Sequence, residues 1–386
     1  MPRGRAVGRV SVESVDRVAR AALARLGEPG DPWLGRAVAG LGAPAVLALI
    51  RTPRAQEDPA LERYRARLPA WVADPEADEV LGRRAGARVL VPGDDEWPPA
   101  LDDLGERRPL ALWVTGEADL RDLTRRSVAL VGARACTAYG EHVAADLAAG
   151  LGDRAWTVVS GGAYGIDAAA HRGSLAVDAA TVAVLACGVD VAYPAAHDGL
   201  FRAVRDGGAI VSELPPGSRP TRRRFLDRNR IIAALSRGTV VVEAAVRSGA
   251  LNTAGHAEGL SRPVMAVPGP VTSATSAGCH ELLRTKAASV VTDATDVLDL
   301  VGDLLIDARE QRRGPDRPHD GLDPEALRVL EALPLSRRAP PDRVSQVAGL
   351  AAPVTLRSLG RLSVLGLADA VDGRWRRTPT TPSSSR

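Results

Sequence analysis

The stretch SGGAYGIDAAAHRGSL at Ser160–Leu175 constrains the fold more than any other part of the chain. A small-residue loop follows the apolar run Trp156–Ser160 and opens directly into a helical Ala/His/Leu pattern. Glycines let backbone N–H groups turn inward, and the start of a helix adds partial positive charge, so phosphate is the natural ligand. The same strand–loop–helix order occurs upstream at Val128–Leu151, where Gly132 and Arg134 follow four apolar residues. One such turn is an ordinary connection in a parallel α/β sheet. Two, one carrying an arginine, point to nucleotide or nucleic acid. Neither reads G-x-G-x-x-G, because Arg134 stands where a dinucleotide site wants a second glycine for close pyrophosphate approach, which argues against a nicotinamide dehydrogenase.

Short apolar runs alternate with helical patterns on either side of these turns. Candidate strands are Val128–Val131, Thr157–Ser160, Thr181–Ala186, Ala209–Ser212, Thr239–Glu243, Pro263–Val267 and Ser289–Val291. The expected fold is therefore α/β and Rossmann-like, a largely parallel sheet covered by helices on both faces. Ligands in such sheets collect at the carboxyl ends of the strands. The loops on that edge, 132–140, 161–165, 187–194, 213–227, 244–249 and 268–279, hold the glycines and most of the notable arginines.

Composition narrows the class. A chain of 386 residues with 45% hydrophobic content has room for two or three domains and a substantial core. No apolar run is long enough to span a bilayer, and the arginine-rich start leads into no signal-like segment, so a cytoplasmic protein without membrane insertion is expected. Cys136, Cys187 and Cys279 are isolated from one another, without C-x-x-C or Cys/His ligand spacing, which predicts reduced packing thiols and no metal. The net charge of +3 says little about partners, since Lys286 is the one lysine and the arginine content follows genome composition as readily as phosphate binding. Its distribution says more. Gly217–Arg247 holds eight arginines against Asp227 and Glu243. Arg222, Arg223 and Arg224 stand consecutively beside Phe225, a solvated run or a binding surface.

Residues 1–84 carry helical periodicity and suggest a helix-hairpin or SAM-like module, with Gly40-Leu41-Gly42 separating two apolar helices. Residues 85–302 are expected to form the Rossmann-like domain, 303–321 a polar linker, 322–378 a winged-helix-like domain and 379–386 a disordered tail. Three helical patterns and a strand–turn–strand, DAVDGRWRRT, make up the winged-helix pattern. On its third helix Leu356, Leu359 and Leu362 share a face, with Arg357 and Arg361 opposite. Such a domain reads DNA or binds a protein partner.

The order VALVGARACTAYG, VVSGGAYGIDAAAH, TVAVLACGVDVAYP, IVSELPPGSRPTRRRFLDRNRIIAALS, VVVEAAVRSGALNTAGHA and VMAVPG resembles the DNA-processing protein A family, DprA or Smf, over roughly residues 87–302. The resemblance implies a protein that binds single-stranded DNA, protects incoming strands in natural transformation and helps load the recombinase RecA. It implies no catalysis and no cofactor, and a homodimer is expected. Carried onto this chain, it makes Arg134 a phosphate contact beside Gly132, and Ser160, Gly161, Gly162 and Gly165 a backbone cradle for a second phosphate. Arg228 and Arg230 would border the same pocket, with Arg222, Arg223 and Arg224 extending it. Phe225 is a base-stacking residue or a core anchor for its loop.

The family pattern is not fully kept. Ala250 and Asn252 replace the usual Ser and Ile of Ser-Gly-Ser-Leu-Ile-Thr, His280 falls where an asparagine is usual, and Lys286-Ala287 replaces a Gly-Ala pair. Asp167 and His171 lie four residues apart on one helical face, a capping and packing pair in the absence of a nucleophile or metal cluster. The alternative function is a nucleotide N-glycosidase of the lysine-decarboxylase-like Rossmann group. Its P-G-G-x-G-T-x-x-E signature is absent, since Pro268-Gly269-Pro270 lacks the second glycine.

Overall fold

The structure is a computed structural model that describes residues 12–52, 59–68, 77–285, 287–302 and 321–378. Lys286, residues 303–320 of the expected linker and the expected tail at 379–386 lie outside the described residues. The chain forms two compact units, within Met1–Ala308 and Arg309–Arg386.

The first unit begins with helices α1 (Val12–Leu26), α2 (Pro32–Leu41), α3 (Ala43–Arg51), α4 (Pro59–Arg65) and α5 (Ala77–Arg84). Asp31 caps α2 by accepting the amides of Trp33 and Leu34, and Pro32 pre-sets the first turn. The break between α2 and α3 is Gly42 alone, at φ 81°; Gly40 and Leu41 belong to α2. These helices keep a core of their own around Leu23, Leu26, Val46, Ile50 and Tyr64. They also pack on the rest of the unit, for Ala21 of α1 joins the cluster around Trp113, and Arg17 binds Asp94 at 2.7 Å. Among the described residues no single helix is long and apolar enough to cross a membrane.

The sheet follows as β1 (Arg88–Leu90), β2 (Leu112–Thr115), α6 (Leu120–Arg125), β3 (Ser127–Val131), α7 (Ala138–Gly152), β4 (Thr157–Ser160), α8 (Ile166–Ala176), β5 (Thr181–Leu185), α9 (Asp198–Gly207) and β6 (Ala209–Ser212). Then come α10 (Arg222–Leu235), β7 (Thr239–Val241), α11 (Gly249–Gly259), β8 (Val264–Ala266), α12 (Ala277–Arg284), β9 (Ser289–Val290) and α13 (Ala294–Val301). The strands lie in the order β1-β2-β6-β5-β4-β3-β7-β8-β9. All seven expected strands are present within a residue or two of their expected ends. The sequence reading missed β1 and β2, short strands of which β2 pairs antiparallel with β6 and β1 antiparallel with β2. Every other pairing is parallel.

Alternate strand residues serve opposite faces. Val128, Leu130 and Val158 pack on α7, α8 and α13, whereas Ala129, Val131 and Val159 pack on α10 and α11. Burial on both faces explains why the strands read as continuous apolar runs. The chain leaves β3 toward β4 and β5 and returns on its other side at β7. That reversal opens a crevice at the carboxyl ends of β3 and β7.

The second unit holds α14 (Pro324–Ala332), α15 (Pro341–Ala348), α16 (Ala352–Val364) and the antiparallel pair β10 (Ala368–Val371) and β11 (Arg374–Arg377). Leu359 and Leu362 are buried in its core, but Leu356 is 52% exposed. The buried stripe of α16 runs through Thr355, Ser358, Leu359 and Leu362, which places Leu356 one position off the seam. Arg361 and Arg357 face Asp323 and Glu325 of their own unit.

Candidate functional site

A cleft of about 640 Å³ lies at the carboxyl edge of the sheet. Gly132 and Arg134 enter it after β3, Ala163 and Asp167 after β4, Tyr193 after β5, Thr221, Arg222, Phe225 and Arg228 around the start of α10, and Arg247–Ala250 and Asn252 after β7. Five separate loops thus converge where the topology predicts a ligand.

Backbone geometry sets the first two loops. A Cβ on Gly132 would stand 2.5 Å from Ile166 and 2.9 Å from the Glu243 carbonyl oxygen, so only glycine lets α8 approach β3 this closely. Gly165 sits at φ +75°, and a Cβ there would strike the backbone of Ala133 and Arg134. The Ile166 amide then donates to the Ala133 carbonyl at 3.2 Å, which locks the two loops together.

At both loops singled out in the sequence a carboxylate of the chain itself binds backbone amides, in the loop ahead of α8 and at the cap of α7. Asp167 accepts the Ala163 amide at 3.3 Å and is buried. Burial raises its pKa, opposed by Arg228, by the amides of Ala163 and Gly161, and by Arg134. At α7, Glu243 accepts the Thr137 amide at 2.8 Å and the Thr137 hydroxyl at 2.7 Å. The expected cradle of Ser160, Gly161, Gly162 and Gly165 is therefore turned inward. The Ser160 hydroxyl donates to the Leu130 carbonyl at 2.6 Å, the Gly161 carbonyl accepts from Arg228 at 2.8 Å, and the Gly162 carbonyl accepts from His197 at 3.0 Å. None of these four residues lines the cleft.

The starts of α10 and α11 open into the cleft instead. Neither first turn contains an acidic residue, and Thr221 and Ser248 cap them from the cleft side. Arginines in the first turn of α10 oppose the helix dipole, so Arg222–Arg224 weaken their own helix and concentrate positive charge at its mouth. Arg134, Arg222 and Arg247 are exposed there and make no ion pair among the described residues.

Successive residues on a helix point 100° apart, and this separates the arginines that the sequence groups together. Arg222 lines the cleft; Arg223 is 81% exposed and stands 3.6 Å from Asp227; Arg224 reaches Glu28 at 3.1 Å. Arg228 lines the cleft floor, its guanidinium donating to the carbonyls of Gly161 and Val184, and burial lowers its pKa to about 10. Arg230, two positions on, points away. It is fully buried and pairs with Glu213 at 2.7 Å while donating to the Arg107 carbonyl at 2.9 Å. Its expected place in the pocket gives way to a structural ion pair.

Phe225 is half-buried in the cleft wall, with the Arg134 guanidinium 4.6 Å from its ring centre and Tyr193 at 5.6 Å. Sequence reasoning missed Tyr193, Asn229, Arg247 and Ser248 as lining residues. Arg247 had a signal, being the last cation of the Gly217–Arg247 excess. Asn252, a departure from the family pattern, accepts from the Asn229 amide at 3.2 Å and so ties α11 to α10. His280, another departure, meets the Gly269 carbonyl at 3.0 Å and is not among the cleft-lining residues.

Fold and cleft define an α/β protein with a positively charged, aromatic-edged site at the topological reversal of its sheet. The chain belongs to the family of DNA recombination-mediator protein A, whose model matches residues 88–302. It is 50% identical over 308 residues to a putative DNA processing protein DprA of Mycobacterium tuberculosis, covering 77% of this chain and 78% of that one. It is 37% identical to protein Smf of Escherichia coli, with 75% and 77% covered. The structure resembles that of DNA processing protein A from Streptococcus pneumoniae, with TM-score 0.62, 31% identity and 73% and 97% of the two chains covered. It also resembles DNA processing protein A from Helicobacter pylori, described for its single-stranded DNA binding mode, with TM-score 0.50, 27% identity and 56% and 96% covered.

Proposed function

We propose that the cleft binds single-stranded DNA without sequence preference, and that the protein protects incoming strands and helps load RecA during transformation or recombination. The observation that carries this reading is the convergence of two open helix starts with three exposed arginines, Arg134, Arg222 and Arg247, beside the Phe225 and Tyr193 rings. Helix starts and arginines hold phosphates, and rings stack on bases of any identity. Family membership and the single-stranded DNA binding described for the Helicobacter pylori relative support it. The second unit, three helices and a two-stranded ribbon, fits a winged-helix module that contacts partners, and a homodimer is the assembly we expect.

The test is a titration of the purified protein with single-stranded and duplex oligonucleotides of equal length over a salt series, alongside an assay for base release from nucleotides. Tight, salt-sensitive preference for the single strand without base release supports the reading. Equal duplex affinity or turnover rejects it.

A further inference from the structure

Aromatic residues are scarce in this chain, at 3%. Among the described residues the well-exposed rings are Tyr139, Tyr164 and Tyr193. All three stand at the carboxyl ends of successive strands, after β3, β4 and β5. Burial is the ordinary fate of a large ring, so this concentration on the ligand-bearing edge, beside arginines without ion pairs, asks for a partner with flat faces and negative charge.

Tyr139 is fastened, its hydroxyl donating to the Pro268 carbonyl at 2.7 Å. The other two are not. Tyr164 is 49% exposed and leans edge-on against His197 at 4.7 Å; Tyr193 is 44% exposed and leans on Phe225 at 5.6 Å. Each is thus propped by a second ring while much of its surface stays open. Tyr164 follows Ala163 of the cleft wall and precedes Gly165, which abuts the Arg134 backbone.

We propose that Tyr164 and Tyr193 are base-stacking residues that carry a single strand past the phosphate contacts of the cleft. The proposal rests on the single-stranded DNA reading above. It assigns base contact, as opposed to backbone contact, to these two rings. Stacking needs the ring and not the hydroxyl, and it needs a base on the ligand.

The experiment compares a thymidine oligonucleotide with an abasic oligonucleotide of the same phosphate count at matched salt. Parent protein, Tyr164→Ala, Tyr193→Ala, the double alanine variant and the double phenylalanine variant are each titrated as full chains. The double alanine variant is expected to bind the thymidine strand at least about fivefold more weakly, the low end for loss of one stacked base. It should bind the abasic strand like the parent, and the phenylalanine variant should match the parent on both. Unchanged thymidine affinity in the alanine variant, or equal losses on both strands, overturns the stacking role. A parent that binds neither strand overturns the cleft reading itself, a result distinct from either of those.

Discussion

The guanidinium of Arg134 lies 4.6 Å from the centre of the Phe225 ring. That contact joins the loop after β3 to the first turn of α10 and holds a cation at the cleft wall without neutralising it. The ring stabilises the side chain through its quadrupole, and the charge stays available to a phosphate.

Arg134→Ala is expected to weaken single-strand binding by about 10- to 150-fold, the loss of one charge-assisted contact worth about 1.5–3 kcal/mol. Arg134→Lys should fall between, because an ammonium keeps the charge but not the planar stack on Phe225. Thermal melts should be nearly unchanged for both, since the side chain is exposed. A well-folded alanine variant with parental affinity rules the contact out.

Arg230→Ala is expected to act on stability. The Arg230–Glu213 pair is buried on both sides, at 1% and 9% side-chain exposure. Removing one partner leaves a buried charge alone, at a cost of about 3–5 kcal/mol. Chemical denaturation of the variant should show that loss, and whatever protein remains folded should bind DNA at close to parental strength. Weaker binding with intact stability would place Arg230 in the site after all.

The salt dependence should separate the arginine triplet. Arg222 and Arg247 line the cleft, whereas Arg224 is committed to Glu28. Each phosphate neutralised on a single strand contributes about 0.7 to the log–log salt slope, so Arg222→Ala with Arg247→Ala should flatten it by about 1.4. Arg224→Ala should leave the slope alone. Anisotropy titrations at four or more salt concentrations decide between these outcomes.

His171 gives the protein an acid sensitivity. Thr181 donates its hydroxyl to the Val158 carbonyl at 2.8 Å, so the 2.7 Å contact with His171 Nδ1 requires Nδ1 to be the donor. Nε2 is left bare and buried without a hydrogen-bond partner, so a proton added there would be unpaired. Burial first, then His197 and Arg228, depresses the pKa from 6.5 to about 3. Between those values the unfolded chain holds a proton that the native protein refuses. Stability from this source is complete above about pH 6.5 and is lost as pH falls toward 3, at roughly 1.4 kcal/mol per pH unit. Asp167, whose pKa is raised above 3.8, works in the opposite sense near the acid end. Urea titrations at pH 7 and pH 5 should show a steeper loss for the parent than for His171→Gln. Parallel losses would mean that His171 does not titrate in this window.

Truncation after Gly302 is expected to leave a folded protein that binds single strands, because the cleft lies wholly within the first unit and the second unit has a core of its own. Circular dichroism and the same titration check it. A folded truncation with no affinity would move the principal site to the second unit.

The sequence by itself determined the α/β class, seven of the nine sheet strands and the edge on which the site lies. Continuous apolar runs between helical patterns admit few other solutions, and a parallel sheet exposes its ligand edge at one end. The family motifs identified the lineage, and Gly132, Arg134, Arg222, Phe225 and Arg228 were named from sequence and line the cleft. Only the tertiary structure decided which helix starts are open. Asp167 reads from sequence as a capping residue, but the structure shows that the amide it takes is that of Ala163 in the expected cradle, and Glu243 reaches Thr137 across 106 positions of sequence. Glu243 closes the start of α7 and Asp167 holds the loop ahead of α8, while the starts of α10 and α11 open into the cleft. Likewise Arg228 and Arg230 are neighbours in a motif but opposites on a helix, since two residues of rotation turn one toward the cleft and the other into the ion pair with Glu213. Sequence records which charges a chain owns. Their pairing is set by long-range packing, and that pairing decides which of them remain for a ligand.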